Sequence, residues 1–226
     1  MTRISLMITA CLITGIVFAQ GSERRNHNGF TGVSVGGGID LILSQSNDFS
    51  VEVETNGDLE DIETTVSQGV LKIRQKSNSW LDFDNETRVY VSLPELEYIS
   101  SSGGTDVSNK GTLRGEYLEI KSSGGSDLEL ELVYETVRIN CSGGSDVELT
   151  GESAELDLST SGGSDFDGFD FEVADATINT SGGSDANVLV KNRISARASG
   201  ASDITYRGNP KYVDVNSSGG SDINGQ

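Results

Sequence analysis

The 226-residue chain is poor in several residue types that common folds and chemistries depend on. It has two cysteines, two prolines, one tryptophan and one histidine. Two cysteines cannot build a disulfide scaffold. The lone histidine, His27, lies in a polar segment near the start, so one chain cannot assemble a histidine-based triad or a multi-histidine metal site. Basic residues are scarce: 16 Lys and Arg stand against 35 Asp and Glu, for a formal charge of -19. A chain this acidic repels phosphate backbones and anionic headgroups, which excludes nucleic acid as a partner. Only one long apolar run occurs, Ile4 to Phe18, and it is too short to span a bilayer comfortably. Behind Thr2-Arg3 and ending in Val17-Phe18-Ala19, it reads as a signal peptide over residues 1–19. The mature chain is therefore expected to be exported, to insert in no membrane directly, and to keep Cys141 alone. Cys11, after Ile8-Thr9-Ala10, is an alternative lipidation site, although it lies early and the apolar run continues past it.

Glycine is abundant, at 28 residues, and it is periodic. The pentapeptide Ser-Gly-Gly-Ser-Asp or a close variant ends at Asp106, Asp127, Asp146, Asp165, Asp185, Asp203 and Asp222, with steps of 21, 19, 19, 20, 18 and 19 residues. A degenerate copy is Gly36-Gly37-Gly38-Ile39-Asp40. Between copies apolar and polar residues alternate, as in Leu128-Glu129-Leu130-Glu131-Leu132, which is the period of a half-buried strand. Each repeat then reads as strand, variable turn, strand and glycine turn. Aligned on the glycines, the repeats form columns. One runs from Ile99 through Ile120 and Ile139 to Val215, another from Val107 through Leu128 and Val147 to Ile223, and a column of small residues holds Ser101, Ser122, Cys141, Thr160, Thr180, Ala198 and Ser217. Stacked coils bury such columns only against their neighbours, so the pattern predicts an all-β, single-stranded parallel solenoid with coils of about 19 residues.

The first glycine of each copy, at 103, 124, 143, 162, 182, 200 and 219, is expected to carry a positive φ. Ala201 replaces the second glycine of one copy, which assigns that position to close packing. Stacked aspartates about 4.8 Å apart would repel by about 0.9 kcal/mol in water and about 3.5 kcal/mol at an effective dielectric of 20. Two readings offset this. Each carboxylate accepts bonds from its own turn amides and the adjacent Ser hydroxyl, or the row Asp106, Asp127, Asp146, Asp165, Asp185, Asp203 and Asp222 binds Ca²⁺. The turn is similar to the calcium-binding RTX repeat, but its period is about 19 residues rather than nine and the third glycine is missing.

Residues 20–27 read as a polar linker and 28–226 as one domain, irregular over 28–98 and regular over 99–226. Within 28–98, strands are expected at 30–35, 39–43, 49–53 and 88–93, with a hairpin of 62–66 and 70–73 around Gln68-Gly69. This part begins the solenoid and caps it. The far end shows no polar cap, so its open strand edge is expected to pair with another subunit or a partner.

Phe30-Thr31-Gly32-Val33, Gly38-Ile39-Asp40-Leu41, the strand Val89 to Pro94 and the tandem Ser-Gly-Gly-Ser-Asp turns together resemble the auto-transporter adhesin, head GIN domain family of Bacteroidetes-type bacteria. The resemblance covers about residues 28–224. It implies a right-handed β-helix related in shape to pectin lyases without their catalytic residues, and a role in adhesion at the cell envelope.

Two irregular places are candidates for ligand binding. Trp80, Asp82, Phe83 and Asp84 combine a flat ring with acceptors that suit a sugar, and Phe169, Asp170 and Phe171 widen one inter-strand turn. The reading that follows is a non-catalytic envelope or surface protein, in the periplasm, on the outer surface or outside the cell, that binds a glycan or an envelope protein and needs no cofactor. The alternatives are a calcium-stabilised assembly module and a carboxylate-dependent polysaccharide hydrolase or lyase.

Overall fold

The computed structural model describes residues 21–76 and 86–226. The first strands are β1 (Gly21–Arg25), β2 (Gly32–Gly36), β3 (Asp40–Gln45), β4 (Ser50–Thr55), β5 (Ile62–Ser67), β6 (Val70–Gln75) and β7 (Thr87–Leu93). β5 and β6 pair antiparallel across Gln68 (φ 54°) and Gly69 (φ 75°), two consecutive left-handed residues that match strand twist. β1 lies antiparallel to β4, and β4 antiparallel to β7. Residues 21–25, expected within a polar linker, are thus a strand. Arg25 secures it by donating to the carbonyls of Leu59 and Ile62 beside a short 3₁₀ turn.

Spatial order departs from chain order. With β8 (Tyr98–Ser102) and β9 (Asp106–Lys110) in place, β2 sits between β6 and β8, while β3 sits between β7 and β9. The coil formed by β2 and β3 is therefore the second rung, and β6 with β7 forms the terminal rung outside it. This brings the degenerate copy into the stack: Gly37 N–H donates to the Ser102 carbonyl and Gly38 N–H to that of Gly103.

Regular coils follow as β10 (Leu113–Ser123), β11 (Asp127–Gly143), β12 (Asp146–Gly162), β13 (Phe166–Gly182) and β14 (Ala186–Gly200); β15 (Ile204–Arg207) and β16 (Tyr212–Gly219) form the rung after β14, and β17 (Ile223–Gly225), stacked parallel on β15, begins one more. All pair parallel and in register, so Ile99, Ile120, Ile139, Leu158, Ile178 and Ala196 form one buried column. Each of β11, β12 and β13 is one ladder of 17 residues, without the variable turn expected inside the coil. The coil bends where alternation slips. In β11 Glu135 and Thr136 both stay out of the core between buried Tyr134 and Val137, and parallel pairing runs on around the bend. An inward row of aliphatics filling each coil, at about 25 cal/mol per Å² of apolar surface removed from water, is the main stabilising term.

Candidate functional site

The glycine corner organises the surface. Its Ser or Thr at the fourth position is an inward row that the sequence reading missed: Thr105, Ser126, Ser145, Ser164, Ser184 and Ser202 are all completely buried. Five of these hydroxyls donate to the carbonyl three residues earlier, from 2.9 Å for Ser202 to Ser199 up to 3.2 Å for Ser145 to Ser142. The bond closes the corner from inside and satisfies a buried hydroxyl. The available signal was that this position is Ser or Thr in every copy.

The next residue, the aspartate, faces outward because strand neighbours point to opposite sides. That corrects the expected bond between the carboxylate and its adjacent Ser, since the two side chains lie on opposite faces. The carboxylate instead works between rungs. Oδ1 of Asp146, Asp165, Asp185 and Asp203 accepts the N–H of the aspartate one coil further on, at 3.4, 3.1, 3.1 and 3.0 Å. A backbone donor at each of these steps offsets the repulsion of stacked charge. The first steps differ, because Asp127 N–H donates to the Thr105 carbonyl and Asp146 N–H to that of Ser126. Asp106 accordingly titrates above the usual carboxylate range, raised by partial desolvation and then by the charges of Asp40 and Asp127.

The same division appears in the glycines. The first glycine has positive φ in every copy, as expected. The second is also left-handed in the early copies, at Gly104 (φ 68°) and Gly125 (φ 73°), but not at Gly144, Gly163, Gly183 or Gly220. The second glycine is thus required by its conformation in the early copies, while in the later coils a Cβ would meet nothing closer than 3.5 Å, so the expected close packing is not what places glycine there. There the second residue's N–H points back to the preceding coil, as in Gly183 to Gly162 (2.7 Å) and Ala201 to Gly182 (2.7 Å), whereas Gly104 N–H points forward to Gly124 (3.2 Å). Ala201 sits in the later class, where an L-residue meets no left-handed strain.

Two shallow grooves flank the corner. On one side the aspartate row runs beside Ser108, Glu129, Glu148, Asp167 and Asn187, forming an acidic groove of about 680 Å³. Among the described residues no group of three or more His, Cys, Asp or Glu converges on a point where a metal ion could sit. The carboxylates form lines. On the other side, Asn140, Ser159, Asn179, Arg197 and Asn216 stack in register beside a row of serines, forming a groove of about 560 Å³. No side-chain hydrogen bond among the described residues engages Asn140, Asn179, Asn216 or Arg197. The amides lie on alternate coils, about 10 Å apart, too far to bond one another as a continuous Asn ladder would.

The other candidates separate. Trp80, Asp82, Phe83 and Asp84 lie outside the described residues. Phe171 is fully buried in the core and presents no surface, because a bulge after Gly168 turns it inward. Phe169 lies under the Arg207 guanidinium at 3.8 Å, and Arg207 is held in turn by Gln226 at 3.2 Å. Asp170 remains exposed. Cys141 is a buried free thiol in the small column, its pKa pushed up to about 12 by burial and then by the Asp146 charge. A thiol so held is protonated and unreactive at neutral pH.

Fold and faces together define a parallel β-solenoid that presents long rows of like side chains, a scaffold suited to extended ligands. Residues 29–210 match the family described as "Putative auto-transporter adhesin, head GIN domain", and the chain belongs to that family. Solved structures share the fold. A "putative adhesin" from Bacteroides fragilis aligns with TM-score 0.84 at 18% identity, covering 92% of this chain and 97% of that one. An adhesin so described from Parabacteroides distasonis aligns with TM-score 0.72 at 19% identity, covering 92% and 97%. A "Putative lipid binding protein" from the same species aligns with TM-score 0.70 at 16% identity, covering 92% and 96%. A search of curated proteins finds no match.

Proposed function

We propose that this protein is a non-catalytic, adhesin-like protein of the bacterial surface or envelope that holds a neutral, linear glycan along its Asn and Ser groove. The observation that carries the reading is the set of uncommitted amides on alternate coils in a groove whose only charged lining residue is Arg197, on a chain of charge -19. Two coils, about 10 Å, span one disaccharide of an extended chain, so successive sugar pairs meet the same amide. Ser159 at one intervening position and the flanking row of serines donate to and accept from sugar hydroxyls, and Arg197 at the other intervening position donates. Family membership supports adhesion, and export would place the groove where glycans are found. An envelope protein with an extended, uncharged segment is the other ligand of this shape.

The test is titration of the folded chain with neutral, linear oligosaccharides of increasing length. Affinity should rise with length until the groove is filled. It should fall at least about tenfold in Asn140→Ala/Asn179→Ala, the loss of two hydrogen-bonding groups. Length-independent binding, or binding unchanged in the double variant, would refute the groove. Release of new reducing ends would identify an enzyme instead.

A further inference from the structure

The Asn and Ser groove carries two rows with different periods, and the two periods together narrow the ligand. The flanking row, Ser142 to Ser218, sets a hydroxyl on every coil. Two residues earlier on each strand, about 7 Å away, the row Asn140, Ser159, Asn179, Arg197 and Asn216 returns to an amide only on every second coil. All five side chains face outward, and Ser159, like the other four, makes no side-chain hydrogen bond among the described residues. The row also has a defined start. Lys121, the member before Asn140, is committed elsewhere, to Glu119 at 3.1 Å and to the Tyr98 ring at 5.4 Å. From Asn140 to Asn216 there are four coil steps, about 19 Å, the length of about five sugars of an extended chain.

The groups that alternate are as telling as their spacing. An amide sets an acceptor beside a pair of donors, so it engages two adjacent ring hydroxyls at once, whereas serine offers a single hydroxyl that suits a lone hydroxymethyl group. Resting on the glycan reading of this groove, we propose that its ligand is a glucan of the flat, two-fold kind, in which each sugar is flipped by half a turn relative to the last, as in cello-oligosaccharides. One edge of such a ribbon shows the paired hydroxyls of carbons two and three on one sugar and the hydroxymethyl group of carbon six on the next. Laid along the groove, that edge puts hydroxyl pairs against Asn140, Asn179 and Asn216 and hydroxymethyl groups against Ser159 and Arg197. The serine row, with its one-coil period, meets every sugar. A chain whose sugars all turn the same way, as in the coiled malto-oligosaccharides, shows one kind of group throughout and leaves every second position of the row mismatched.

Cellopentaose, xylopentaose and maltopentaose, titrated into the folded chain by calorimetry, test the assignment. Xylose units keep the hydroxyl pair and lack the hydroxymethyl group. Cellopentaose should bind at least about tenfold more tightly than maltopentaose. Asn179→Ala should weaken both cellopentaose and xylopentaose. Ser159→Ala should weaken cellopentaose at least about threefold and leave xylopentaose unchanged, a split that a merely structural role of Ser159 would not produce. Both substitutions are at outward positions, and their melting profiles should match that of the parent chain. Maltopentaose bound as tightly as cellopentaose, equal losses for the two ligands in Ser159→Ala, or no binding of cellopentaose would each overturn this assignment without touching the groove. Cellopentaose binding indifferent to Asn179→Ala would overturn the groove and the assignment with it.

Discussion

The early and late glycine corners carry the same pentapeptide and solve the corner differently. At Gly103-Gly104 and Gly124-Gly125 both residues are left-handed and amides point forward along the stack. From Gly143 onward only the first is left-handed, amides point back, and the carboxylates join the ladder by accepting the next aspartate N–H. Backbone groups must all be paired inside a stack, and two directions of pairing satisfy them equally. The direction changes between the corners at Gly124-Gly125 and Gly143-Gly144, although these two stack directly on one another. The early class continues the arrangement that Gly37 and Gly38 set in the rung beneath, where both are also left-handed. A repeat motif therefore specifies that a corner exists without fixing which of the two conformations it takes.

Glycine substitutions break this comparison most directly. Gly182→Ala should have the largest effect, because φ is +86° and a Cβ would meet the Gly162 backbone at 2.8 to 3.3 Å. Left-handed strain of about 1–2 kcal/mol adds to forced displacement of the coil beneath, so a melting-temperature loss of many degrees or failure to fold is expected. Gly125→Ala meets nothing closer than 3.9 Å and should cost only the conformational strain, about 1–2 kcal/mol. Gly163→Ala, at the equivalent position of a late corner, should change stability by less than about 0.5 kcal/mol, since φ is not left-handed and the nearest atom is 3.9 Å away. Equal losses in Gly125→Ala and Gly163→Ala, measured by denaturant unfolding, would dissolve the two classes into one.

The smallest effect sharpens the comparison through charge. Asp106 is protonated more readily in the folded chain than when free, so its stabilising proton is held below the ordinary carboxylate pKa and lost as pH rises. At pH 7 it is charged and receives no amide from Asp127, whose N–H goes to Thr105. Asp106→Asn should therefore raise the melting temperature slightly at pH 7, and the gain should vanish as pH falls through the carboxylate range. Asp185→Asn removes a charge that an Asp203 N–H already compensates, so its gain at pH 7 should be smaller. The reverse order in a pH series of thermal melts would reject the assignment.

Much of the molecule was legible because stacking repeats its constraints. The Ile99 column and the small column return as in-register rows, and the seven aspartates stack coil on coil. The hairpin at Gln68-Gly69 was legible from its turn residues. Legibility ended where the partner is distant in sequence. Nothing local in 32–45 says that this coil stacks between 70–93 and 98–110. The groove was missed because Asn140, Asn179 and Asn216 are ordinary outward strand residues until neighbouring coils align them, and the two rings of Phe169-Asp170-Phe171 were not told apart because a bulge, not the local pattern, decides which ring faces inward.

By itself the sequence determined the coil length, the inward columns, the left-handed first glycine and the acidic surface, since each follows from a local rule repeated about every 19 residues: alternation, φ sterics and net charge. Only the tertiary structure decided the order of the first rungs, the direction of hydrogen bonds at each corner and the inter-rung role of the aspartates. Those properties belong to pairs of coils rather than to any one of them, because each is a hydrogen bond made between stacked neighbours.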